Sequence, residues 1–365
     1  MPFHQEIAMT LAQTLPHPAV LPALTQPAIS GHQGILAAAA SGLEDFITQQ
    51  GGDPERILGM CRISPALLTQ PTQSLTLPGY CRVLEEAARQ TGADNFGLHY
   101  GLQFKPQQLG LIGYVGLCSA TAEQALRNLV FAFPWHQHAT LTRLVDLPHC
   151  VRFDYQIRHG AIISQRQDAE LTLGMVINLL RHALGPQWAP KEVHFEHPRP
   201  EHWHEHCKYY DAPVYFDQPF NSLLIPRHEL QRPMPESDPV LLMVMQDAMR
   251  RLNQSSQPLS VIDQACAAIR QQLPQGEPVM EQVAGLLGMS GASLQRRLSD
   301  EQLTFSRAVD KVRQEMATHY LAQRHLPISD MAFLLGYSEV SAFSRAFRRW
   351  FGLSPRAWRH QQANR

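Results

Sequence analysis

No stretch of this 365-residue chain comes near the run of about eighteen apolar residues that a membrane-spanning helix requires, so no membrane partner is expected. No Cys-x-x-Cys pair occurs either. Cys61, Cys81, Cys118, Cys150, Cys207 and Cys266 are scattered, which argues against a zinc-finger module or a disulfide framework and fits reduced thiols in the cytoplasm. Met1 to Gly31 hold Pro16, Pro18, Pro22 and Pro27 but no basic stretch followed by an apolar run and a small-residue cleavage site, so they do not read as a secretion signal. Residues 1–33 are read instead as a flexible segment. Also missing are a Gly-x-Ser-x-Gly elbow, a Walker loop, a dinucleotide Gly-rich turn and His-Glu-x-x-His, the spacings that present a nucleophile, cradle a phosphate or hold a metal. Eighteen histidines could serve acid–base chemistry, but no local spacing organises them; neither an enzyme nor a cofactor is expected.

The length calls for two or three domains, each able to bury a core, and 44% hydrophobic with 17% charged residues is ordinary for such domains. The net charge of −1 hides an asymmetry: from Ser260 onward there are thirteen Arg and Lys against nine Asp and Glu, and from Ser338 to the end six Arg against one Glu. Attraction to nucleic acid depends on such local charge, although a surplus of this size arises by chance in many soluble domains.

The pattern of residues is more specific. Val283-Ala-Gly-Leu-Leu-Gly-Met-Ser290 is matched 48 positions later by Met331-Ala-Phe-Leu-Leu-Gly-Tyr-Ser338. In each copy the Ala and the Leu pair mark the buried side of a short helix, and Gly288 or Gly336 supplies the left-handed residue that ends it. Ser290 or Ser338 is then placed to cap a second helix, whose apolar residues, Leu294 and Leu298 or Phe343 and Phe347, fall four apart. Between the copies Phe305, Val309, Val312, Met316 and Tyr320 predict a connecting helix ending near Gln323. Its roughly nineteen residues span about 28 Å, a little under the ~34 Å turn of B-DNA, so two recognition helices at its ends could enter successive major grooves. Trp350, Phe351 and Trp358 lie at helical spacing beside Phe347 and are assigned to packing rather than base stacking.

Upstream, a helical region from about Ile35 to Phe133 gives way to paired strands at Ala139 to Leu147 and Cys150 to Ile157, a helix at Gln165 to Leu184, and short strands at Glu192 to Phe195 and Pro213 to Phe216. Residues 231–259 read as a linker around a connecting helix, Val240 to Leu252, with a second connecting segment at Asn253 to Pro258. The expected architecture is an α+β N-terminal domain (34–230) followed by an all-α C-terminal domain (260–365) with two helix-turn-helix motifs.

The C-terminal signature runs Ile328-Ser-Asp-Met-Ala332, Gly336-Tyr-Ser, Phe343-Ser-Arg345-Ala-Phe347-Arg-Arg-Trp-Phe-Gly352-Leu-Ser-Pro355 and Trp358-Arg359, with Leu294-Gln295-Arg296 in the first copy. It resembles the AraC-type DNA-binding domain over nearly its full length. One departure is Glu301-Gln-Leu-Thr-Phe305, where the family usually has a Gly; it falls in a loop. Phe96-Gly-Leu-His-Tyr-Gly, Gly110-Leu-Ile-Gly-Tyr, His197-Pro, and Pro213-Val-Tyr-Phe with Asn221-Ser-Leu-Leu-Ile-Pro226 are similar to the arabinose-binding-type effector domain of the ornithine-regulator-like branch.

By position, the resemblance implies that Ala292, Gln295 and Arg296 face the groove from the first recognition helix and Val340, Ser341, Ser344 and Arg345 from the second. The chemistry agrees, since Arg pairs with guanine, Gln with adenine, and a methyl group with thymine. Arg297, Lys311, Arg313, Arg348 and Arg349 are candidates for phosphate contacts, with solvation or pairing to acids such as Glu315 the equal alternative. The resemblance further implies promoter DNA, RNA polymerase and a small-molecule effector as partners, a homodimer, and activation in preference to repression. Trp135, His136 and His138 could line an effector pocket or simply end a helix. The clustered His197, His202, His204, His206 and Cys207 suit zinc or copper by donor type, but alternating positions on a helix point apart, so a polar surface turn is preferred and no metal is expected. Whether the N-terminal domain senses a ligand or only dimerises stays open.

Overall fold

A computed structural model describes residues 34–252, 260–323 and 326–363 of the chain. The expected flexible segment 1–33 and connecting segment Asn253 to Pro258 lie outside the described residues. The N-terminal domain opens with β1 (Gly34–Leu36), then helices α1 (Leu43–Gln49), α2 (Pro54–Met60) and α3 (Pro65–Leu68), β2 (Ser74–Thr76), α4 (Leu77–Thr91), α5 (Phe96–Gln103), α6 (Leu111–Leu117) and α7 (Ala122–His136). Strands β3 (Thr140–Asp146) and β4 (Cys150–Ile157) follow, then α8 (Arg166–Leu184), β5 (Glu192–His194), α9 (His204–Tyr210), β6 (Val214–Tyr215), β7 (Asn221–Pro226) and α10 (Pro239–Leu252). The α+β reading holds. The region read as helical is interrupted by the antiparallel β1–β2 ribbon, whose three-residue strands are too short to display a period.

The main sheet runs β3-β4-β7-β5-β6, antiparallel except for the β5–β6 pair. Alternation along β4 turns Val151, Phe153, Tyr155 and Ile157 into the core, while Asp154 points the other way. There Asp154 is fully buried yet satisfied, at 2.7 Å from both Arg143 and Arg152 and accepting a bond from the Ser222 hydroxyl. Helix α8 lies under the sheet and is buried along most of its length because α5 crosses it at very close range. A Cβ on Gly101 would stand 2.6 Å from Leu171 O, one on Gly97 would overlap the Gln167 backbone, and Gly174 faces Gly101 from the other side. The Phe96-Gly-x-x-x-Gly pattern is therefore a backbone-to-backbone crossing.

Helix α7 continues through Pro134, which cannot donate to the Val130 carbonyl. The Thr142 hydroxyl on β3 donates to that carbonyl at 3.3 Å instead. The stretch 231–259, read as a linker, is in its described part a piece of the N-terminal domain. Met234 and Asp238 bond by their backbone N–H to Ala120 O and Cys118 O, and α10 packs on α6 and α7 with Met249 fully buried. Leu242, Met245 and Met249 serve this contact, which a sequence window limited to the helix could not reveal.

The C-terminal domain consists of α11 (Val261–Gln272), α12 (Met280–Leu286), α13 (Gly291–Asp300), α14 (Phe305–Ala322), α15 (Ile328–Leu334), α16 (Val340–Phe351) and α17 (Pro355–Ala363). Leu294, Leu298, Phe343 and Phe347 share one core with Val309, Val312 and Met316 of α14, and Trp350, Phe351 and Trp358 pack against it as expected. Gly288 and Gly336 adopt φ of +67° and +75°, closing the two tight turns. Ser290 caps α13, accepting from Ser293 N at 3.2 Å. Ser338 does not cap α16: that helix begins one residue later, after Glu339, whose carboxylate accepts instead from Ser341 Oγ at 2.9 Å. In the loop where glycine is missing, Gln302 takes φ +56°, so a side chain occupies the left-handed position at a cost of about 1–2 kcal/mol.

Candidate nucleic-acid interface and ligand cavities

Helices α12–α13 and α15–α16 form two helix-turn-helix units joined by the 18-residue α14, which is about 27 Å long. With the apolar faces of α13 and α16 buried, their opposite faces turn outward. On α13 these carry Ala292, Arg296 and Arg297, all exposed, with Gln295 half-buried and bonded to Ser299 Oγ at 3.3 Å. On α16 they carry Ser341, Arg345 and Arg348, exposed, with Val340 and Ser344 half-buried. Neither Arg296 nor Arg345 has a carboxylate within ion-pair distance among the described residues, so both guanidinium forks are available for base acceptors. Arg348 is similarly unpaired, Lys311 is exposed on α14, and Arg349 lies 3.4 Å from Asp310. That exposed pair contributes little and yields readily to a phosphate.

Arg313 does not belong with these residues. It is 6% exposed: Nε donates to Leu335 O at 2.9 Å, one terminal nitrogen meets Glu277 Oε2 at 2.5 Å, and the guanidinium lies 4.4 Å above the Tyr337 ring. It fastens α14 to the turn of the second unit rather than reaching outward for phosphate. Its place in the helical apolar stripe, one residue after Val312, was the available signal.

The N-terminal domain encloses a small, mostly apolar cavity of about 30 Å³ between α7 and α8. Of the three expected pocket residues only His136 lines it. Trp135 points to the far side of α7, its ring 5.3 Å from the Arg250 guanidinium of α10, because residues adjacent in a helix diverge by about 100°. His138 is buried beyond the helix end, its backbone N–H bonded to Gly34 O. Burial pushes His136 down to about 3, so it is neutral. Facing it across the cavity, burial pushes the Asp168 carboxyl up to about 7; Tyr155 donates a short hydrogen bond to that carboxyl and accepts one from Gln137 at 2.6 Å.

A folded-state pKa above the unfolded value near 4 means that stability present at low pH is lost as pH rises through the folded value. Asp168→Asn, which keeps an acceptor for Tyr155, removes this loss. The stability gap between the variant and the wild type should therefore widen by about 1–3 kcal/mol between pH 5 and pH 7.5, then level off, in urea unfolding at several pH values. A gap independent of pH would mean that the carboxyl is ionised throughout.

The His-rich segment is a surface turn only in part: His202 and His204 are exposed, whereas His197 and His206 turn inward. His206 is fully buried with Nε2 2.8 Å from Glu170 Oε1, and His197 Nε2 lies 3.4 Å from the same oxygen. Arg166 completes the cluster, reaching Glu170 at 2.9 Å and Asp94 at 2.8 Å. Burial opposes ionisation of Glu170, but the Arg166 guanidinium, with smaller contributions from the histidines, outweighs it and holds the carboxyl well below its usual range. His197 itself is pushed down to about 3, chiefly by burial. Among the described residues no group of three or more His, Cys, Asp or Glu is placed to hold a metal ion. His206 faces α8 because the seven-residue α9 seats on it the side that carries His206 and Tyr210, a contact between segments too far apart in sequence to be read locally.

A larger cavity, about 270 Å³, lies between the two domains and contains none of the expected pocket residues. Its N-terminal wall comprises the end of β4, the loop before α8, and Glu196 to Pro198; its C-terminal wall comprises α11 and the last two turns of α14. The domains meet at its edge, where Arg270 of α11 donates to the carbonyls of His159, Gly160 and Ile162. Gly160 approaches Asp263 and Cys266 so closely that a Cβ would overlap them.

Residues 51–234 match the family described as the arabinose-binding domain of AraC transcription regulator, N-terminal, and residues 283–361 match a helix-turn-helix domain. The HTH-type transcriptional regulator VirS of Mycobacterium tuberculosis is 28% identical over 332 residues, covering 89% of this chain and 96% of the relative. The ornithine utilization regulator of Pseudomonas aeruginosa is 27% identical over 334 residues, with the same two coverages.

Proposed function

The chain belongs to the AraC family of transcription regulators, is a DNA-binding regulator and not an enzyme, and we propose that it is an activator under small-molecule control that reads promoter DNA through α13 and α16. The observation carrying this reading is the pair of unpaired arginines, Arg296 and Arg345, at equivalent places on two outward helix faces spaced by α14. Gln295, Ala292, Val340, Ser341 and Ser344 complete the base-reading faces, while Arg297, Lys311, Arg348 and Arg349 set affinity through phosphate. The arabinose-binding-type domain supports an effector, which shifts an existing equilibrium in domain docking or dimer geometry so that the bound protein engages RNA polymerase in the cytoplasm. A homodimer is supported by Val240, Met243 and Val244, which form an exposed apolar stripe on α10.

Footprinting on the regions upstream of the neighbouring genes, with and without a metabolite panel, tests this reading. Protection of two major-groove segments about one helical turn apart per protomer, strengthened by one metabolite, is expected. Specific protection unaffected by any metabolite would favour a constitutive regulator whose N-terminal domain only dimerises. Absence of sequence preference would overturn the assigned reading faces.

A further inference from the structure

The interdomain cavity is lined by two guanidinium groups that no carboxylate neutralises. Arg158, at the end of β4, makes one long hydrogen bond from Nε to Gln156 Oε1 at 3.4 Å, and no ion pair. Arg270, across the cavity on α11, is bonded only to backbone carbonyls, and its buried Nε has no partner among the described residues. Both act on Glu196, yet burial pushes that carboxyl up to about 8 and leaves it mostly protonated at neutral pH. Its oxygens are also engaged, accepting from Gln156 at 2.5 Å and Asn221 at 2.9 Å. Arg166 is already matched by Asp94 and Glu170. Asp217 is exposed at the rim, and Glu315 acts on Arg270 without reaching ion-pair distance. The two facing histidines add no charge: burial pushes His197 to about 3 and His319 to about 4.

The remaining wall is mixed: Ile157, Ile163, Ala169, Ala267 and Met316 give it an apolar side, and neutral polar groups such as Gln165, Gln271 and Gln323 carry no charge to set against the arginines. The volume approaches the roughly 300 Å³ at which ordinary small-molecule pockets begin. Resting on the ligand-controlled reading above, we propose that this cleft binds a small organic carboxylate, with its anionic group between Arg158 and Arg270 and its carbon skeleton against the apolar side. Such a ligand supplies the negative charge that the cleft lacks and touches both domains at once. Met316, His319 and Tyr320 of α14 line the same cavity, and α14 sets the spacing of the two reading helices. Occupancy thereby favours one docking of the DNA-binding domain over others, which is the differential contact an allosteric effector requires.

The test uses trifluoroacetate as a minimal carboxylate on the full-length protein, followed by ¹⁹F line broadening at constant ionic strength against chloride, with hexanoate as competitor. Saturable broadening that hexanoate displaces is expected. Arg158→Gln should weaken it about tenfold or more, as removal of a charge-assisted contact does, and so should Arg270→Gln, while Arg127→Gln on the outer face of α7 should not. Because Arg270 also holds the domains together, Arg158→Gln decides the matter if Arg270→Gln fails to fold. Absence of saturable broadening in the wild type, or equal broadening in Arg158→Gln, overturns the site. Operator binding on the same preparations separates the two readings: a wild type that binds operator but no carboxylate refutes the cleft and leaves the regulator assignment standing.

Discussion

Replacing Arg296 and Arg345 together by alanine is expected to cost operator binding about 2–6 kcal/mol, each arginine contributing about 1–3 kcal/mol through paired hydrogen bonds to a guanine edge. Both side chains are exposed and make no ion pair among the described residues, so their removal leaves the core of Leu294, Leu298, Phe343 and Phe347 intact. Folding should be unchanged by circular dichroism and thermal unfolding, which isolates the binding effect. The loss should also be local in sequence. With Arg345→Ala alone, an operator altered at one base pair should bind no worse than the parent operator, because that base is no longer read. Arg348→Ala provides the contrast: a phosphate contact weakens binding to every sequence alike and lowers the salt dependence by about one released ion. If Arg345→Ala weakened all operators equally, Arg345 would be a phosphate contact and the reading face of α16 would have to be redrawn.

Glu170→Ala should destabilise the N-terminal domain by about 3–5 kcal/mol, the usual consequence of stripping one partner from a buried charged cluster. Glu170 and His206 are fully buried and Arg166 nearly so, with Asp94 the only other acid in ion-pair contact with that guanidinium among the described residues. Removing the carboxylate leaves a cation enclosed beneath the sheet with half of its neutralisation gone. Glu170→Gln should recover part of the loss by keeping an acceptor for Arg166 and His206. Urea unfolding at pH 7 measures both variants, and a loss below about 1 kcal/mol for Glu170→Ala would mean that water reaches the cluster. A bulky apolar replacement such as Glu170→Leu would not relieve the burden, since Arg166 remains charged.

The DNA-binding half was legible because it is repeated. Two copies of Ala, a Leu pair, Gly and Ser 48 residues apart constrain each other, and a helix period across 305–320 connects them. The paired strands β3 and β4 and the helix α8 were visible for similar local reasons, namely alternation and period. What could not be read depends on contacts between distant segments. Arg313 has the same residue type as Arg345, and only the depth of its position on α14 decides that it binds Leu335 O and Glu277 rather than DNA. His206 and Glu170 are 36 positions apart, and nothing in the local run of histidines names the carboxylate they face. Trp135 and His136 were grouped because they are adjacent, although adjacency on a helix separates side chains. The cleft arginines lie 112 positions apart, on a strand end and a helix, in two different domains.

One side chain links the two reading units mechanically. Arg313 grips Glu277, just ahead of the first unit, and the carbonyl of Leu335, in the turn of the second, while itself belonging to the helix between them. The segment entering the first unit and the turn of the second are thereby tied to one residue of the helix between them, like the two arms of a caliper. One extra base pair between the two elements of an operator moves them about 3.4 Å farther apart and turns one about 35° around the duplex axis relative to the other. On the proposed reading, a caliper that resists both displacements should make operator binding more sensitive to a one-base-pair insertion between those elements than to a single base change within one of them.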